Sequence, residues 1–294
     1  MNIDQTSLVA AFSGLKAVFT EALSLAEPGI AEELLATVES TTTTEYYPVA
    51  ALLGDLEEVL DEVTITSIGR YVASVPNKTY ARAVEVKRDD IADDHLGLYK
   101  PAVQQLAVRA RLYHIRLTAQ AILGGFAGAW IDATTVFSAT HTWPGGLGWS
   151  NLGAPAALGL VTLNAATNAL EQRVGPDGAP MGLTATHLVC GPANRGAAEA
   201  ILFPKQILGT DNIMYQRVKI ALMPRFGAST AWFVCDAGVV KPMVLQNREG
   251  PEFTAQEDPG SHVAFYQEKY GYKARRRCAV AILAPWLIQA NAGV

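Results

Sequence analysis

The sequence predicts an α+β fold in two parts, with an N-terminal arm and a protruding hairpin. Helix and strand patterns are interleaved without the regular alternation of βαβ units. One helix pattern, from about Tyr99 to about Leu123, is long for a globular domain, roughly 37 Å at a rise of about 1.5 Å per residue. A strand-rich stretch before it carries few large apolar residues, so it has little core of its own.

Composition limits the classes of protein to consider. The 294 residues are 50% hydrophobic and 17% charged, so the chain can bury a full core. A net charge of −5 and a pI near 5.6 argue against a general nucleic-acid binder. The three cysteines are far apart, which favours buried reduced thiols over a zinc site or a disulfide framework. We expect an intracellular, reducing site of synthesis and no cofactor.

No membrane partner is expected from the sequence. The N-terminus lacks a basic stretch before its apolar residues and so does not resemble a secretory signal. The longest apolar runs, at 121–131 and 279–288, are shorter than the roughly 20 residues of a membrane span.

The first element is an amphipathic helix, because large apolar residues recur at spacings of three and four: Leu8, Phe12, Leu15, Phe19 and Leu23. A short helix at 30–38 and an extended threonine run follow. We interpret this region as an arm more than as part of a core.

Residues 60–86 predict a long hairpin. β-branched and aromatic residues flank a turn signal at Pro76-Asn77-Lys78. A two-stranded ribbon is marginally stable in water, so this one is expected to lean on a neighbouring subunit. The candidate assembly contacts on it are Ile65, Ile68, Arg70, Tyr71, Lys78, Tyr80 and Arg82.

The long helix carries the strongest local signal in the chain. Pro101 suits its first turn, and apolar residues from Val103 to Ala121 follow at alternating spacings of three and four. Arg109, Arg111 and Arg116 lie on or beside its other faces, so we expect one face to pack against a sheet or a partner.

An acidic cluster precedes this helix and raises the question of an active site. It comprises Asp89, Asp90, Asp93, Asp94 and His95. Acids at a helix start interact favourably with the helix dipole, and aspartate is a preferred N-cap. A metal-dependent hydrolase is the alternative, but a hard-metal site needs further convergent oxygen ligands and no second comparable cluster occurs. We favour the helix-start interpretation and assign no metal ligand.

Other enzyme-like patterns are weak, and no catalytic residue is assigned. Ser138 and His141 are three residues apart in a loop, without the G-x-S-x-G signature. The glycines at 175–182 lack the lysine of a P-loop and indicate a connector. His114 and His187 are interpreted as packing residues, and His262 as preceding a strand.

The second half supplies further elements. A helix is expected from Thr162, a possible cap, to Val174, and a strand, a turn and a helix from 185 to 202. Three strands follow near 218–226, 231–238 and 241–249, and one or two long strands between His262 and Pro285.

Taken in order, several segments resemble the Mu-like phage major head subunit family. They are the arm, the hairpin, "VEVKRDDIADDHLGLYKP", the long helix, "FSATHTW", "DGAPMGLTATHLVCGP", "AWFVCDAG", "KPMVLQNREGPEF" and "YGYKARRRCAVAI". The resemblance runs from about residue 6 to about residue 288. It implies the Hong Kong 97 type (HK97-like) of major capsid fold, which tailed phages share with encapsulin shells.

The resemblance also implies names for the parts of the chain. They are an N-terminal arm (1–45), a segment leading into the peripheral or P domain (46–59), an E-loop (60–86), the P domain (87–154) with its spine helix (97–124), the axial or A domain (155–242), P-domain return strands (243–276), and a last A-domain strand with the C-terminus (277–294).

The implied function is structural and not enzymatic. The chain would self-assemble as pentamers and hexamers into an icosahedral shell around double-stranded DNA of a tailed phage or prophage, held without sequence specificity. Its partners would be copies of itself, a separate scaffold protein, a portal and, as a further candidate, a decoration protein. It would be assembled in the host cytoplasm and reside in the virion capsid. An encapsulin-like protein compartment and, less favoured, the hydrolase remain alternatives.

Overall fold

The computed structural model describes residues 5–48, 72–93, 95–143, 146–256, 258 and 261–294. Its helices are α1 (Gln5–Leu25), α2 (Arg88–Ala92), α3 (Lys100–Arg111), α4 (Tyr113–Gly124), α5 (Leu160–Glu171), α6 (Arg195–Leu202) and α7 (His262–Gln267). Its first strands are β1 (Leu35–Glu39), β2 (Thr44–Pro48), β3 (Val72–Pro76), β4 (Lys78–Lys87), β5 (His141–Thr142), β6 (Gly148–Trp149) and β7 (His187–Cys190). The later strands are β8 (Gln206–Ile207), β9 (Thr210–Asp211), β10 (Lys219–Leu222), β11 (Trp232–Cys235), β12 (Met243–Ala255), β13 (Lys269–Ile282) and β14 (Ile288–Asn291).

Two four-stranded sheets organise the chain. The long sheet has the order β1-β12-β13-β4, and its two central strands pair antiparallel over more than ten residues. The compact sheet has the order β10-β7-β11-β14. Smaller pairs join β2 with β3, β5 with β6 and β8 with β9.

The compact sheet is covered on both faces. Trp232 and Val234 of β11 face α5 and α6, whereas Phe233 and Cys235 face α4 and the long sheet. Alternate residues therefore enter two different cores, as the period of two in a strand requires. The expected helix at 162–174 is α5, which begins at Leu160, and the Thr162 hydroxyl accepts a hydrogen bond from the Gly159 N–H at 2.9 Å.

Helix α1 confirms the amphipathic pattern, and its apolar face is buried in a core of the same molecule. Leu8, Leu15 and Phe19 are at most 3% exposed. Phe19 stacks on Phe253 of β12 with ring centroids 4.7 Å apart, and α1 packs along α3. The apolar stripe is wide enough to complete the core under the long sheet, so the helix is held by its own molecule. By length and composition Thr6–Leu25 could cross a membrane; Leu8, Leu15 and Phe19 are buried in this packing, whereas Val9 and Leu25 are exposed.

The segment after α1 joins the two sheets. A single 3₁₀ turn, Ile30–Leu34, stands where a helix at 30–38 was expected, and β1 begins at its end. Ala31 and Leu34 are buried in the core that α4 shares with both sheets. Strand β1 then pairs parallel with β12.

The long helix is present, with one interruption. It begins at Lys100 after a 3₁₀ turn at His95–Tyr99, with Pro101 in its first turn as expected. The hydrogen-bond pattern breaks at Leu112 (ψ 9°), which separates α3 from α4. The guanidinium of Arg276 on β13 donates to the carbonyl oxygens of Ala110 and Arg111 at 3.3 and 3.0 Å. Carbonyl groups near the helix break therefore receive their hydrogen bonds from a side chain of the long sheet.

The expected hairpin about Pro76-Asn77-Lys78 is wrong in its pairing. Strand β3 pairs with β2, from Thr44↔Pro76 to Pro48↔Val72, and β4 pairs with β13. Only Asn77 separates β3 from β4. Residues 60–71 of the predicted hairpin lie outside the described residues.

Two expectations near the C-terminus also need correction. Residues 262–267 form a helix, capped by the Ser261 hydroxyl, where a strand was expected after His262. Residues 277–282 continue β13 in the long sheet, so the last strand of the compact sheet begins at Ile288 and not near 277. The division into arm, E-loop, P domain and A domain stays a prediction.

Three tryptophan side chains from separate parts of the sequence pack together in a small core. Trp143 stacks on Trp149 and meets the edge of Trp286. Arg173, 4% exposed after α5, donates to the carbonyl oxygens of Trp286 and Ile288. Desolvation lowers the pKa of this buried guanidinium to about 10.

Candidate assembly surface

The β2–β3 pair is a two-stranded ribbon with side chains open to solvent. Tyr46 is 68% exposed and Val72 is 50% exposed, both unusual for large apolar groups in a sheet. The two strands end at Pro48 and Val72, and the residues between these ends, including the candidate contacts Ile65, Ile68, Arg70 and Tyr71, lie outside the described residues. The described part therefore shows the base of a ribbon.

Polar contacts anchor this base to the long sheet. Gln246 of β12 is fully buried, donates to the Val75 carbonyl oxygen at 3.1 Å and accepts from the Tyr47 hydroxyl at 3.1 Å. The Asn77 amide donates to the Ser40 hydroxyl at 2.7 Å. Because buried polar groups left unpaired cost stability, these bonds fix where the ribbon leaves the sheet.

Strand β4 carries the remaining candidate contacts and forms an edge. Its only strand partner among the described residues is β13, so its other side offers unpaired backbone groups. Lys78 and Arg82 are exposed, whereas Tyr80 is half-buried and packs on Tyr113 with ring centroids 4.5 Å apart. Burial raises the pKa of the Tyr80 hydroxyl. The structure thus brings Tyr80 and Arg82 beside the long helix.

A cleft of about 630 Å³ lies between β4, β13 and the break in the long helix. We call it the arginine cleft. Among the described residues its lining contains no acid and six arginines, which are Arg82, Arg109, Arg116, Arg225, Arg275 and Arg276. Leu106, Val108 and Leu112 supply apolar surface between them.

Four of these arginines lack an acidic partner. Among the salt bridges of the described residues, Arg275 pairs with Glu249, and none involves Arg82, Arg109, Arg116 or Arg225. All four are exposed. Arg276 is 5% exposed and its Nε has no hydrogen-bond partner among the described atoms. The cleft is therefore a concentrated positive site on a chain of net negative charge.

His114 lies behind the cleft and is 1% exposed. Its Nδ1 is 3.1 Å from Arg276 Nη1, and its Nε2 is 3.3 Å from Glu32 Oε1 without the alignment of a hydrogen bond. Burial and then the Arg276 charge lower the pKa of His114 to about 4. The imidazole is neutral at physiological pH.

A second buried histidine joins the 3₁₀ turn to the compact sheet. His187 Nε2 is 3.2 Å from Glu33 Oε2, which also accepts from Lys219 at 2.8 Å. Burial lowers the pKa of His187, whereas the bond from Lys219 lowers that of Glu33. Glu32 and Glu33 thus face the long helix and the compact sheet respectively. The sequence interpretation of His114 and His187 as packing residues omitted both carboxylates.

The acidic cluster begins α2 and not the long helix. Asp89 and Asp90 lie in the first turn of α2, whose N-cap is Lys87, so no aspartate caps it. Asp90 accepts a short hydrogen bond from the Tyr99 hydroxyl, which raises the pKa of Tyr99. Among the described residues, which omit Asp94, no group of three or more His, Cys, Asp or Glu side chains could hold a metal ion.

The remaining enzyme-like residues have structural contacts. His141 is buried, lies 2.7 Å from Asp132 Oδ2 and stacks on Trp149, whereas the Ser138 hydroxyl contacts Thr140. The glycine stretch at 175–182 closes a turn in which the Gly175 N–H donates to Ala179. All three cysteines are buried and free. Burial raises the pKa of each, to about 11 for Cys190, so the thiols are poor nucleophiles.

The sequence matches the model of a family described as Mu-like prophage major head subunit gpT, over residues 8–154, 146–226 and 224–289. The Mu-like prophage FluMu major head subunit of Haemophilus influenzae is 31% identical over 140 residues, which is 48% of this chain and 45% of that protein. The aligned part therefore spans less than half of this curated relative.

Solved structures share the fold. A procapsid of bacteriophage JBD30 superposes with a TM-score of 0.58 at 20% identity, covering 96% of this chain and 75% of that chain. A virus-like particle from Pyrococcus furiosus gives 0.56 at 10% identity, covering 95% of this chain and 98% of that chain. These likenesses confirm the α+β, Hong Kong 97-type fold expected from the sequence.

Proposed function

Because this chain belongs to the family of Mu-like prophage major head subunits, we propose that it is the major capsid protein of a tailed phage or prophage. Many copies would tile a closed icosahedral shell as pentamers and hexamers. Its role is mechanical, and no residue of it acts in catalysis.

The observation that carries this proposal is the β2–β3 ribbon. Its base is fixed by buried polar bonds, yet Tyr46 and Val72 remain exposed. A ribbon of two strands has too little core to be stable alone in water. A surface on the next copy of the chain would supply the missing packing, and the candidate contacts at Ile65, Ile68, Arg70 and Tyr71 belong to the same proposal.

Exposed apolar groups elsewhere support repeated self-contact. Leu208 and Ile213 project from the β8–β9 segment, and Val239 and Val240 from the turn before β12, each more than 60% exposed. Single exposed apolar residues are common, but pairs of them in two short exposed segments favour an interface. These tips and the ribbon would contact different neighbours, as a closed shell requires.

The shell would enclose double-stranded DNA without binding it sequence-specifically. A net charge of −5 gives little attraction to phosphate, which suits a wall that must release its contents. A separate scaffold protein, a portal and a decoration protein are further proposed partners, and assembly in the host cytoplasm before residence in the virion is the proposed location.

An encapsulin-like compartment is the second candidate, favoured by the nearly complete mutual coverage with the Pyrococcus furiosus particle. The two candidates differ in their contents. Particles purified from cells carrying the whole phage genome should contain nuclease-protected DNA if the chain is a phage capsid. Particles filled with protein alone would favour the compartment.

Electron microscopy of the purified, overexpressed chain tests the shell itself. We expect rings of five or six subunits and closed or spiral shells. Sedimentation should show the same species growing with protein concentration. A chain that sediments as a folded monomer at all concentrations up to about 1 mM, and that is missing from particles of the parent phage, refutes the proposal.

A further inference from the structure

The arginine cleft has the chemistry of a docking site for an acidic peptide. Arg82, Arg109, Arg116 and Arg225 converge from three separate parts of the chain, and none of them has an acidic partner among the described residues. An arginine cluster without counter-charges is costly by mutual repulsion unless an anionic group joins it. Guanidinium groups are suited to carboxylates because two parallel hydrogen bonds can form.

Apolar lining selects among anionic partners. Leu106, Val108 and Leu112 lie between the arginines, and Tyr80 on Tyr113 closes one wall. A bare phosphate backbone would gain nothing from these side chains. A peptide that interleaves carboxylates with leucine or valine would use both kinds of surface.

The chain itself contains such a peptide. Residues 17–69 contain eleven of the 28 acidic residues and no lysine, arginine or histidine. The densest stretch is 52–62, "LLGDLEEVLDE", in which acids alternate with leucine and valine. Its acids are Asp55, Glu57, Glu58, Asp61 and Glu62. The overall charge of −5 thus conceals an acidic N-terminal part and a basic remainder.

The strand register places the described base of the ribbon away from Arg82. Arg82 lies opposite Ala274 on β13, and Lys78 lies opposite Cys278. Val75 of the ribbon accepts a hydrogen bond from Gln246, which pairs with Ala279, so Val75 lies beyond Lys78 on the side away from Arg82. In the sequence, the acidic stretch falls between Pro48 and Val72, which are paired with each other in the ribbon.

We propose that residues 52–62 of one copy dock in the arginine cleft of a neighbouring copy. The proposal rests on the proposed function, because it names the contact by which a ribbon reaches the next subunit of a shell. In it, the carboxylates pair with Arg82, Arg109 and Arg225, and the leucines cover Val108 and Leu112.

Charge reversal with exchange between chains is the test. One variant carries Arg82→Glu and Arg109→Glu, and the other carries Glu58→Lys and Asp61→Lys. Both altered arginines are exposed, so the fold should survive, and circular dichroism of the unassembled chains checks this. Each variant alone should lose at least about tenfold in particle yield, because like charges then face each other across the contact. The double variant Lys16→Glu and Lys100→Glu alters two exposed residues outside the cleft and the apolar tips, matches the charge change of the cleft variant, and should assemble normally.

Co-expression of the two variants distinguishes a neighbour from the same chain. In a mixed particle a reversed cleft can face a reversed segment wherever the two variants alternate, which a ring of six permits throughout and a ring of five does not, so yield should rise well above that of either variant alone. If a single chain that carries all four substitutions regains particle yield, whereas co-expression of the two variants does not, the contact is intramolecular and the proposal is overturned. Normal assembly of the cleft variant alone and of the segment variant alone also overturns the proposal.

Two further outcomes bear on the occupant. A cleft variant that assembles normally but loses packaged nucleic acid would assign the cleft to phosphate and refute a peptide occupant. If the wild-type chain forms no particle or ring and is also missing from particles of the parent phage, the proposed function fails, whereas wild-type particles with unaffected variants remove the cleft proposal alone.

Discussion

Acid should destabilise the joint at His114 by a measurable amount. The residue is buried between the long helix, Arg276 and Glu32, and its pKa falls from 6.5 to about 4. In the unfolded chain the imidazole takes up a proton as the pH drops below 6.5, whereas in the folded chain it stays neutral until about pH 4. The unfolded state therefore binds more protons in this window, and the free energy of unfolding falls as the pH falls.

The size of the effect follows from the shift. The difference between a pKa of 6.5 and one of about 4 corresponds to a change of about 3 kcal/mol in the free energy of unfolding, at 1.36 kcal/mol per pKa unit. His187, whose pKa burial also lowers, acts in the same direction. A loss of this size is a large fraction of the stability of a typical domain.

Urea unfolding of the unassembled chain between pH 4 and 8 measures this loss. Between pH 7 and pH 4 the free energy of unfolding should fall by about 3 kcal/mol less in the variant His114→Gln than in wild type, because the variant lacks the group that titrates. Gln120→Ala, exposed on the same helix α4, is the matched control and should keep the wild-type slope. Equal slopes for His114→Gln and wild type would refute the assignment of a neutral buried imidazole.

Three further predictions concern stability and reactivity. Arg173→Met should cost about 3–5 kcal/mol in urea unfolding, because it leaves two buried carbonyl oxygens without donors, whereas Arg195→Met, in an exposed pair with Glu199, should change stability by less than about 1 kcal/mol. Gly293→Ala should lower the melting temperature, because at φ 74° its Cβ would lie 2.3 Å from the Thr230 oxygen, whereas Gly14→Ala in the open helix α1 should add about 0.5–1 kcal/mol. The three buried cysteines should resist iodoacetamide in the folded chain and react in urea, as mass spectrometry would show; rapid labelling of the folded chain would contradict their burial.

Local patterns predicted the elements whose form depends on local residues. The spacing of Leu8, Leu15 and Phe19 identified α1, and the apolar run at 187–190 identified β7. These elements need only a consistent period to show which face is buried. The same pattern did not show what α1 packs against, because Phe253, its partner, lies more than 200 residues away.

Strand pairing was the main error, and it has a physical cause. Pro76-Asn77-Lys78 has the composition of a turn, but such residues permit a change of direction without specifying a partner strand. Strand β4 instead completes the long sheet, because Val86 enters the core beside Tyr270 and Tyr272 of β13. The buried amide of Gln246 then sets the position of β3, a contact that no local pattern encodes.

The sequence predicted single residues of the candidate site but not that they lie together, because they come from distant segments. Tyr80 and Arg82 were recognised on the strand, and Arg109 and Arg116 on the helix, but separately. Arg225 and Arg276 reach the same cleft from segments that follow more than 100 residues later. Charge counts over the whole chain hide this convergence, because the acidic stretch at 17–69 offsets it in the sum.

The proposed charged contacts and the proposed apolar contacts involve different residues, and they would affect shell assembly in different ways. Apolar tips such as Leu208 and Val239 supply affinity that depends little on direction. The proposed docking of an acidic peptide in the arginine cleft would contribute orientation and specificity more than affinity, because it depends on the placement of charges. Contacts of this kind weaken with salt, since exposed charges are screened within about 10 Å at 0.1 M. Misplaced subunits should therefore dissociate more readily as ionic strength rises, whereas a completed shell, in which each copy is held at both kinds of contact, should persist.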